Sequence, residues 1–252
     1  MAQKTLFVLS VAVVGFVLEI PFVTEVIRKI PHRPLRQWIL LSLVSLLLIP
    51  AGMAVIQTLG FTATPLLDAY LLGKTTRVEL WPIVRVALIS VPIVFLASIL
   101  AGELFRKPPS IAVTADPTNL KSLMLMQLGA IGAGPYEESV YRLGLLTCIV
   151  WLLARGLHLD PAAAMTFRLA NLMQAICFSF LHQFLAPRQP LSFKMAIPTA
   201  HTGAALVFGY FYWTYGWEAA VLSHVFFDTA APIIMALIGG SRIVLSNLGA
   251  RI

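Results

Sequence analysis

Three charged residues lie close together inside a strongly apolar part of the sequence: Glu137, Glu138 and Arg142, in the stretch GPYEESVYR. On a helix, Glu138 and Arg142 are four residues apart with the acid nearer the N-terminus, the favourable order for an ion pair. Neighbouring helical positions differ by about 100°, so Glu137 points in another direction, on the face of Tyr141. A carboxylate without an evident charged partner in such a helix can serve as a general base that activates water.

Two histidines follow on later apolar segments. The stretch FSFLH places Phe178 and His182 four residues apart, and HVFFD does the same for His224 and Asp228. A histidine four residues from an aspartate fits a hydrogen-bonded packing pair, half of a metal site or an oriented catalytic imidazole. Each ionisable side chain buried in a membrane span costs free energy. We therefore expect these side chains to meet Glu137 in one polar pocket.

The elements that carry these residues are predicted to be membrane-spanning helices. The 252-residue chain is 59% hydrophobic and only 12% charged, whereas soluble domains are about half apolar and a quarter charged. Several windows of about 20 apolar residues are long enough to cross a hydrocarbon core of about 30 Å. The sequence predicts an all-α fold, a polytopic helical membrane bundle of about seven transmembrane helices, located in the cell membrane.

Six spans are predicted with little ambiguity, at residues 5–23, 37–57, 82–102, 162–186, 196–214 and 217–239. The stretch 120–154 is too long for one crossing, at about 52 Å when straight. GAGP at 132–135 is expected to break it into a shorter segment, 120–131, and a helix that opens at Pro135. On straight spans, a Glu137 at the start of its helix would then lie about 10 Å from the depth of His224.

We divide the chain into N-terminal spans and loops at 1–119, a helical core with the charged motifs at 120–240, and a C-terminal tail at 241–252. The net charge of +7 comes from basic residues at span ends, so a nucleic-acid partner is not expected. If 120–131 does not cross, eleven Lys and Arg lie on one side of the membrane and four on the other. The positive-inside rule then predicts a cytoplasmic C-terminus.

The ordered motifs resemble the CPBP or Abi family of intramembrane proteases, which includes the CAAX prenyl endopeptidases of the Rce1 type. The EExxxR motif of that family corresponds here to Glu137, Glu138 and Arg142. Its FxxxH motif corresponds to Phe178 and His182, and its motif of a histidine followed four residues later by Asn or Asp corresponds to His224 and Asp228. The similarity covers roughly residues 120–240, while the first hundred residues contribute only spans.

The resemblance implies an endopeptidase that hydrolyses a peptide bond in a membrane-associated substrate, including lipidated or CAAX-like ones. It implies that Glu137 is the base that activates water and that His182 helps to hold that water. His224 and Asp228 would stabilise the oxyanion. The supporting residues would be Glu138, Arg142, Phe178 and Tyr141. The expected partners are a peptide or protein substrate at the membrane and the lipid bilayer; the oligomeric state is not predicted.

Asp228 departs from the prenyl endopeptidases, which carry Asn at this place. An ionised aspartate cannot donate a hydrogen bond to an oxyanion. Three interpretations stay open: Asp228 is protonated, it orients His224 as the donor, or the site holds a cation. A cation would be zinc, with His182, His224 and Glu137 as ligands and water as the fourth. HExxH is absent, and the resemblance implies no obligatory metal, so we expect no cofactor.

Two other functions would also use these residues. A non-catalytic scaffold could keep the pocket and modulate another membrane protein. A proton-coupled transporter could use intramembrane Glu, His and Asp as a relay, although the sequence has no paired broken helices in two related halves. His32, His158 and His201 lie near predicted span ends and are expected to be interfacial.

Overall fold

The computed structural model describes residues 2–28, 35–71, 80–104, 119–183 and 191–249. All regular elements in these ranges are helices: α1 (Ala2–Arg28), α2 (Leu35–Ser45), α3 (Leu48–Leu59), α4 (Pro65–Leu71), α5 (Leu80–Leu104), α6 (Leu120–Glu138), a π-helical segment (Ser139–Leu146), α7 (Thr147–Gly156), α8 (Ala164–Gln183), α9 (Leu191–Tyr215) and α10 (Trp217–Gly249). The all-α prediction is confirmed. His32 lies outside the described residues.

Four helical stretches among the described residues are long and apolar enough to cross a bilayer: Ala2–Ile27, Leu35–Leu59, Leu120–Gly156 and Ala164–His182. Their outer faces carry exposed leucines, valines and isoleucines, which suits contact with lipid rather than water. The predicted count of about seven spans stays a prediction, as do the three domain boundaries. α10 runs on to Gly249, into the residues assigned to the C-terminal tail.

The predicted break at GAGP is wrong. Leu120–Gly156 is one continuous 37-residue helix, with Pro135 inside it. The glycines serve close packing instead, because a Cβ added at Gly132 would lie 2.5 Å from the carbonyl oxygen of Gly15 on α1. On the other side, α10 packs against Gly134. Small residues let helix backbones approach one another in membranes, so this sequence holds α6 between α1 and α10.

The unbroken helix also sets the depth of the charged motif. Because the helix begins at Leu120, Glu137 lies about 25 Å along it, near its middle and not at a helix start. The depth gap expected between Glu137 and His224 is therefore absent. A single helix over this stretch is long and apolar enough to cross the membrane once, which is what the charge count assumes. The cytoplasmic C-terminus itself stays a prediction.

Close packing at Gly132 makes a testable prediction. Gly132→Ala is expected to destabilise the protein by about 1–3 kcal/mol, because the new methyl group overpacks the contact with α1. Gly156→Ala is the matched control, since a Cβ there meets nothing within 4 Å and alanine is the better helix former. Denaturant unfolding in detergent micelles measures both. Equal stabilities for the two variants would contradict the packing role of Gly132.

The π-helical segment turns the charged motif inward. The Thr147 hydroxyl donates to the carbonyl of Arg142 at 3.0 Å and lies 2.8 Å from the hydroxyl of Tyr212 on α9. At the other end, the Trp217 indole of α10 donates to Ser139 Oγ at 3.1 Å. Such wide turns are rare and recur at functional sites. Here hydrogen bonds to α9 and α10 hold the widened turn in place, and Arg142 within it is completely buried.

Candidate active site

The histidines of α8 and α10 face the same carboxylate on α6. Glu137 Oε1 lies 3.5 Å from His182 Nε2, and Glu137 Oε2 lies 3.8 Å from His224 Nε2. These distances exceed that of a direct N–H···O hydrogen bond, and a water molecule can bridge polar groups at such separations. Glu137, which is 8% exposed, is thus positioned between two imidazoles.

Glu138 connects Arg142 to His224. Its Oε2 lies 2.9 Å from Arg142 Nε, the pairing that the spacing predicts, and its Oε1 lies 2.7 Å from His224 Nδ1. An ionised carboxylate only accepts hydrogen bonds, so His224 donates through Nδ1–H. Glu137 and Glu138, expected to face different directions, lie beside opposite nitrogens of the same imidazole, and only Glu138 is within hydrogen-bond distance. The ring of His224 consequently has little freedom to rotate.

Asp228 lies at the open edge of the site. Its Oδ2 is 3.2 Å from His224 Nε2, and its side chain is 33% exposed. His182 is 20% exposed, whereas the side chains of Glu138 and Arg142 are completely buried. Exposure therefore rises from the Glu138–Arg142 pair toward Asp228 and His182. A substrate would approach from the Asp228 and His182 side.

Aromatic rings fix both histidines around the Arg142 guanidinium. Phe178 and Phe208 flank its central carbon, with ring centres 5.1 and 5.8 Å away, close enough for cation–π attraction. Phe208 stacks on His224 with ring centres 4.8 Å apart, and Phe178 contacts His182 at 4.2 Å. The His182 ring is further held by its Nδ1, 2.9 Å from the Phe178 carbonyl. Tyr141, expected on the face of Glu137, packs edge-on against Phe178.

Three residues near this site were missed by the sequence reasoning. Phe208 on α9 has no recognisable spacing to the motifs. His201, expected to be interfacial, stacks on His182 with ring centres 4.7 Å apart. Glu19 on α1 is buried within electrostatic range of Glu137, His224 and Asp228. An acid in the middle of the first apolar span was the available signal for Glu19, since intramembrane acids need a reason.

The proposed zinc ligands are His182, His224 and Glu137. Among the described residues, no group of three His, Cys, Asp or Glu side chains is arranged so that it could hold a metal ion. A zinc site needs three protein ligands at about 2 Å from one point. Zinc binding therefore stays a prediction, and the mechanism is derived from the side chains alone.

A comparison with known protein families agrees with the geometry. Residues 119–230 match the family model described as Type II CAAX prenyl endopeptidase Rce1-like. The match includes every residue of the three motifs and ends just beyond Asp228, while Glu19 lies outside it. No curated protein and no solved structure matches the chain significantly. The resemblance seen in the motifs is confirmed by this match: residues 119–230 match the Rce1-like family model, in an all-helical chain with several candidate membrane spans.

Proposed function

We propose that this protein is an intramembrane endopeptidase that hydrolyses a peptide bond through water activated by Glu137. The observation that carries the proposal is the position of the Glu137 carboxylate between His182 Nε2 and His224 Nε2, at 3.5 and 3.8 Å. A water molecule in these gaps lies within reach of a base and of two imidazoles. That is the constellation a hydrolase needs.

His182 is proposed to orient the water. Its Nδ1–H donates to the Phe178 carbonyl at 2.9 Å, so in the neutral ring Nε2 carries the lone pair and accepts a hydrogen bond. A water molecule that donates one hydrogen to His182 and the other to Glu137 has its oxygen lone pair directed away from both. Glu137 then takes its proton as the water attacks the carbonyl carbon, and later returns that proton to the leaving amine.

His224 is proposed to stabilise the oxyanion. Glu138 accepts from Nδ1–H of His224. When the imidazole also carries a proton on Nε2, that Nε2–H donates to Asp228 in the resting enzyme. During attack it donates to the oxyanion instead. Of the three interpretations of Asp228, this geometry favours the one in which it orients His224 as the donor. Asp228 at 3.2 Å from Nε2 holds that proton on the correct edge of the ring.

The proposed substrate is a peptide that reaches the site from the membrane, including a lipidated or CAAX-like C-terminal segment. Two features support it: the match to the Rce1-like family model and the partial exposure of Asp228 and His182 at one edge of an otherwise buried group of side chains. The test is cleavage of a panel of membrane-associated peptides, with and without a prenyl group, by the protein in vesicles. Cleavage by the wild type and none by Glu137→Gln supports the proposal.

Metal chelation is expected to leave hydrolysis unchanged. Among the described residues, no group of three acids, histidines or cysteines is arranged so that it could hold a metal ion, and the proposed water is held by Glu137 and His182. The measurement is the cleavage rate after exhaustive chelation, with metal analysis of the same sample. A rate that falls on chelation and returns with added Zn²⁺ would contradict the mechanism and restore the zinc interpretation.

A further inference from the structure

Glu19, on the first helix, is a buried acid that has no role in the proposed hydrolysis. Its side chain is 8% exposed, and its Oε2 has no hydrogen-bond partner among the described residues. Burying a polar group without a partner costs free energy, and an unpaired charge costs more. Such a group in the middle of an apolar helix needs a functional reason.

Helix packing directs Glu19 to the active site. α1 and α6 are antiparallel and touch at Gly15 and Gly132, where an added Cβ at Gly132 would lie 2.7 Å from the backbone nitrogen of Glu19. A helical side chain leans toward the N-terminus of its own helix. Glu19 therefore leans toward the level of Gly15, which lies beside Tyr136, the neighbour of Glu137. Glu19 accordingly lies within electrostatic range of Glu137, His224 and Asp228.

The site holds more carboxyl groups than its cations can balance. Glu138 is paired with Arg142 and His224, Glu137 faces two imidazoles, and Asp228 faces His224. Carboxylates that share a site cannot all ionise. Because the Oε2 of Glu19 has no hydrogen-bond partner among the described residues, protonating Glu19 costs less free energy than protonating another of these carboxylates. A neutral carboxylic acid is also a hydrogen-bond donor, and the oxyanion site otherwise depends on the single Nε2–H of His224.

We propose that Glu19 is a further catalytic residue, a neutral acid that donates a hydrogen bond to the oxyanion opposite His224. The inference rests on the proposed hydrolysis, because it supplies a second donor to that reaction. It gives the N-terminal segment, which lies outside the Rce1-like match, a direct part in the chemistry. An oxyanion flanked by Asp228 is repelled by that carboxylate, and a second donor offsets the repulsion.

Two substitutions at Glu19 test the donor. Glu19→Leu removes it and is expected to lower kcat by about 10²–10³-fold with little change in KM, as for loss of an oxyanion donor. Glu19→Gln keeps an N–H donor and is expected to lower kcat by about 10-fold, so the conservative variant rescues most of the loss. Glu25→Gln, the same chemical change on the same helix, is the matched control.

An infrared measurement gives a second reading that does not depend on turnover. The wild type at neutral pH is expected to show the C=O stretching band of a protonated carboxylic acid. That band is expected to disappear in Glu19→Gln and to persist in Glu25→Gln. A band that is unchanged in Glu19→Gln overturns the proposal, whatever the activity of the sample.

The kinetic outcomes separate this proposal from the proposed function. If both Glu19 variants cleave within a few-fold of the wild type while Glu137→Gln is inactive, Glu19 is not a donor and the hydrolysis mechanism stands. If Glu19→Gln is as slow as Glu19→Leu, a neutral donor is wrong, because the amide should replace it. A wild type that cleaves no peptide overturns the hydrolysis proposal, and the infrared band then decides whether Glu19 is a neutral acid.

Discussion

Glu137→Gln is expected to lower peptide hydrolysis by about 10³-fold, within the range that loss of a general base produces. The amide has nearly the shape of the carboxylate and can still lie between His182 and His224, but it cannot take a proton from water. Insertion into the membrane and folding should be unaffected, because Glu137 forms no direct hydrogen bond that the structure shows with either ring at 3.5 and 3.8 Å. The measurement is kcat/KM on a cleaved peptide in vesicles.

Glu218→Gln is the matched control for this substitution. Glu218 is a partly buried acid on α10, and its Oε1 accepts from the backbone N–H of Leu67 at 2.9 Å. Glutamine keeps that acceptor, so activity should stay near that of the wild type.

A Glu137→Gln variant that cleaves as fast as the wild type would refute the mechanism. An unchanged effect on a partner protein would support the scaffold alternative, and loss of proton-coupled flux would support the transporter.

Arg142→Met is expected to destabilise the protein by about 3–5 kcal/mol, the cost of breaking a buried ion pair from one side. Arg142 is completely buried, and its loss leaves Glu138 with only His224 as a partner. The cation–π contacts with Phe178 and Phe208 are lost as well. Denaturant unfolding in detergent micelles gives the change in the free energy of unfolding.

A double substitution separates the charge effect from the packing effect. Adding Glu138→Gln to Arg142→Met removes the uncompensated charge, so most of the lost stability should return, because neutral replacement of a buried ion pair is often close to neutral in free energy. Activity should not return, since His224 loses the carboxylate that orients it.

Arg155→Met is the control, because Arg155 lies at the exposed end of α7. It should change the free energy of unfolding by less than about 0.5 kcal/mol. A double variant less stable than Arg142→Met would show that Glu138 is not the reason for the loss.

Much of this protein follows from local sequence features. The all-α membrane class follows from composition, because apolar stretches so poor in charge favour lipid over water. The Glu138–Arg142 pair follows from the four-residue spacing on a helix. The association of Glu137 with both histidines could be expected from desolvation cost alone, since scattered ionisable groups would each lose their hydration separately.

Other features depend on contacts between helices that are remote in the sequence. GAGP has the local signals of a helix break. In the structure, however, α1 packs against Gly132 and α10 packs against Gly134, and the helix continues through Pro135. That continuity places Glu137 at the depth of His224. Phe208 and His201 reach the histidines only because α9 packs beside α8 and α10.

The amino-acid sequence by itself determined the helices, their membrane character and the side chains available for chemistry, because these depend on residue type and on spacing along one helix. The tertiary structure alone decided which edge of His224 meets which carboxylate, and that Glu19 is buried where α1 packs against α6. The physical reason is that distances between side chains on different helices are set by how closely the backbones approach. At the α1–α6 contact, the two backbones approach closely because neither Gly15 nor Gly132 has a side chain.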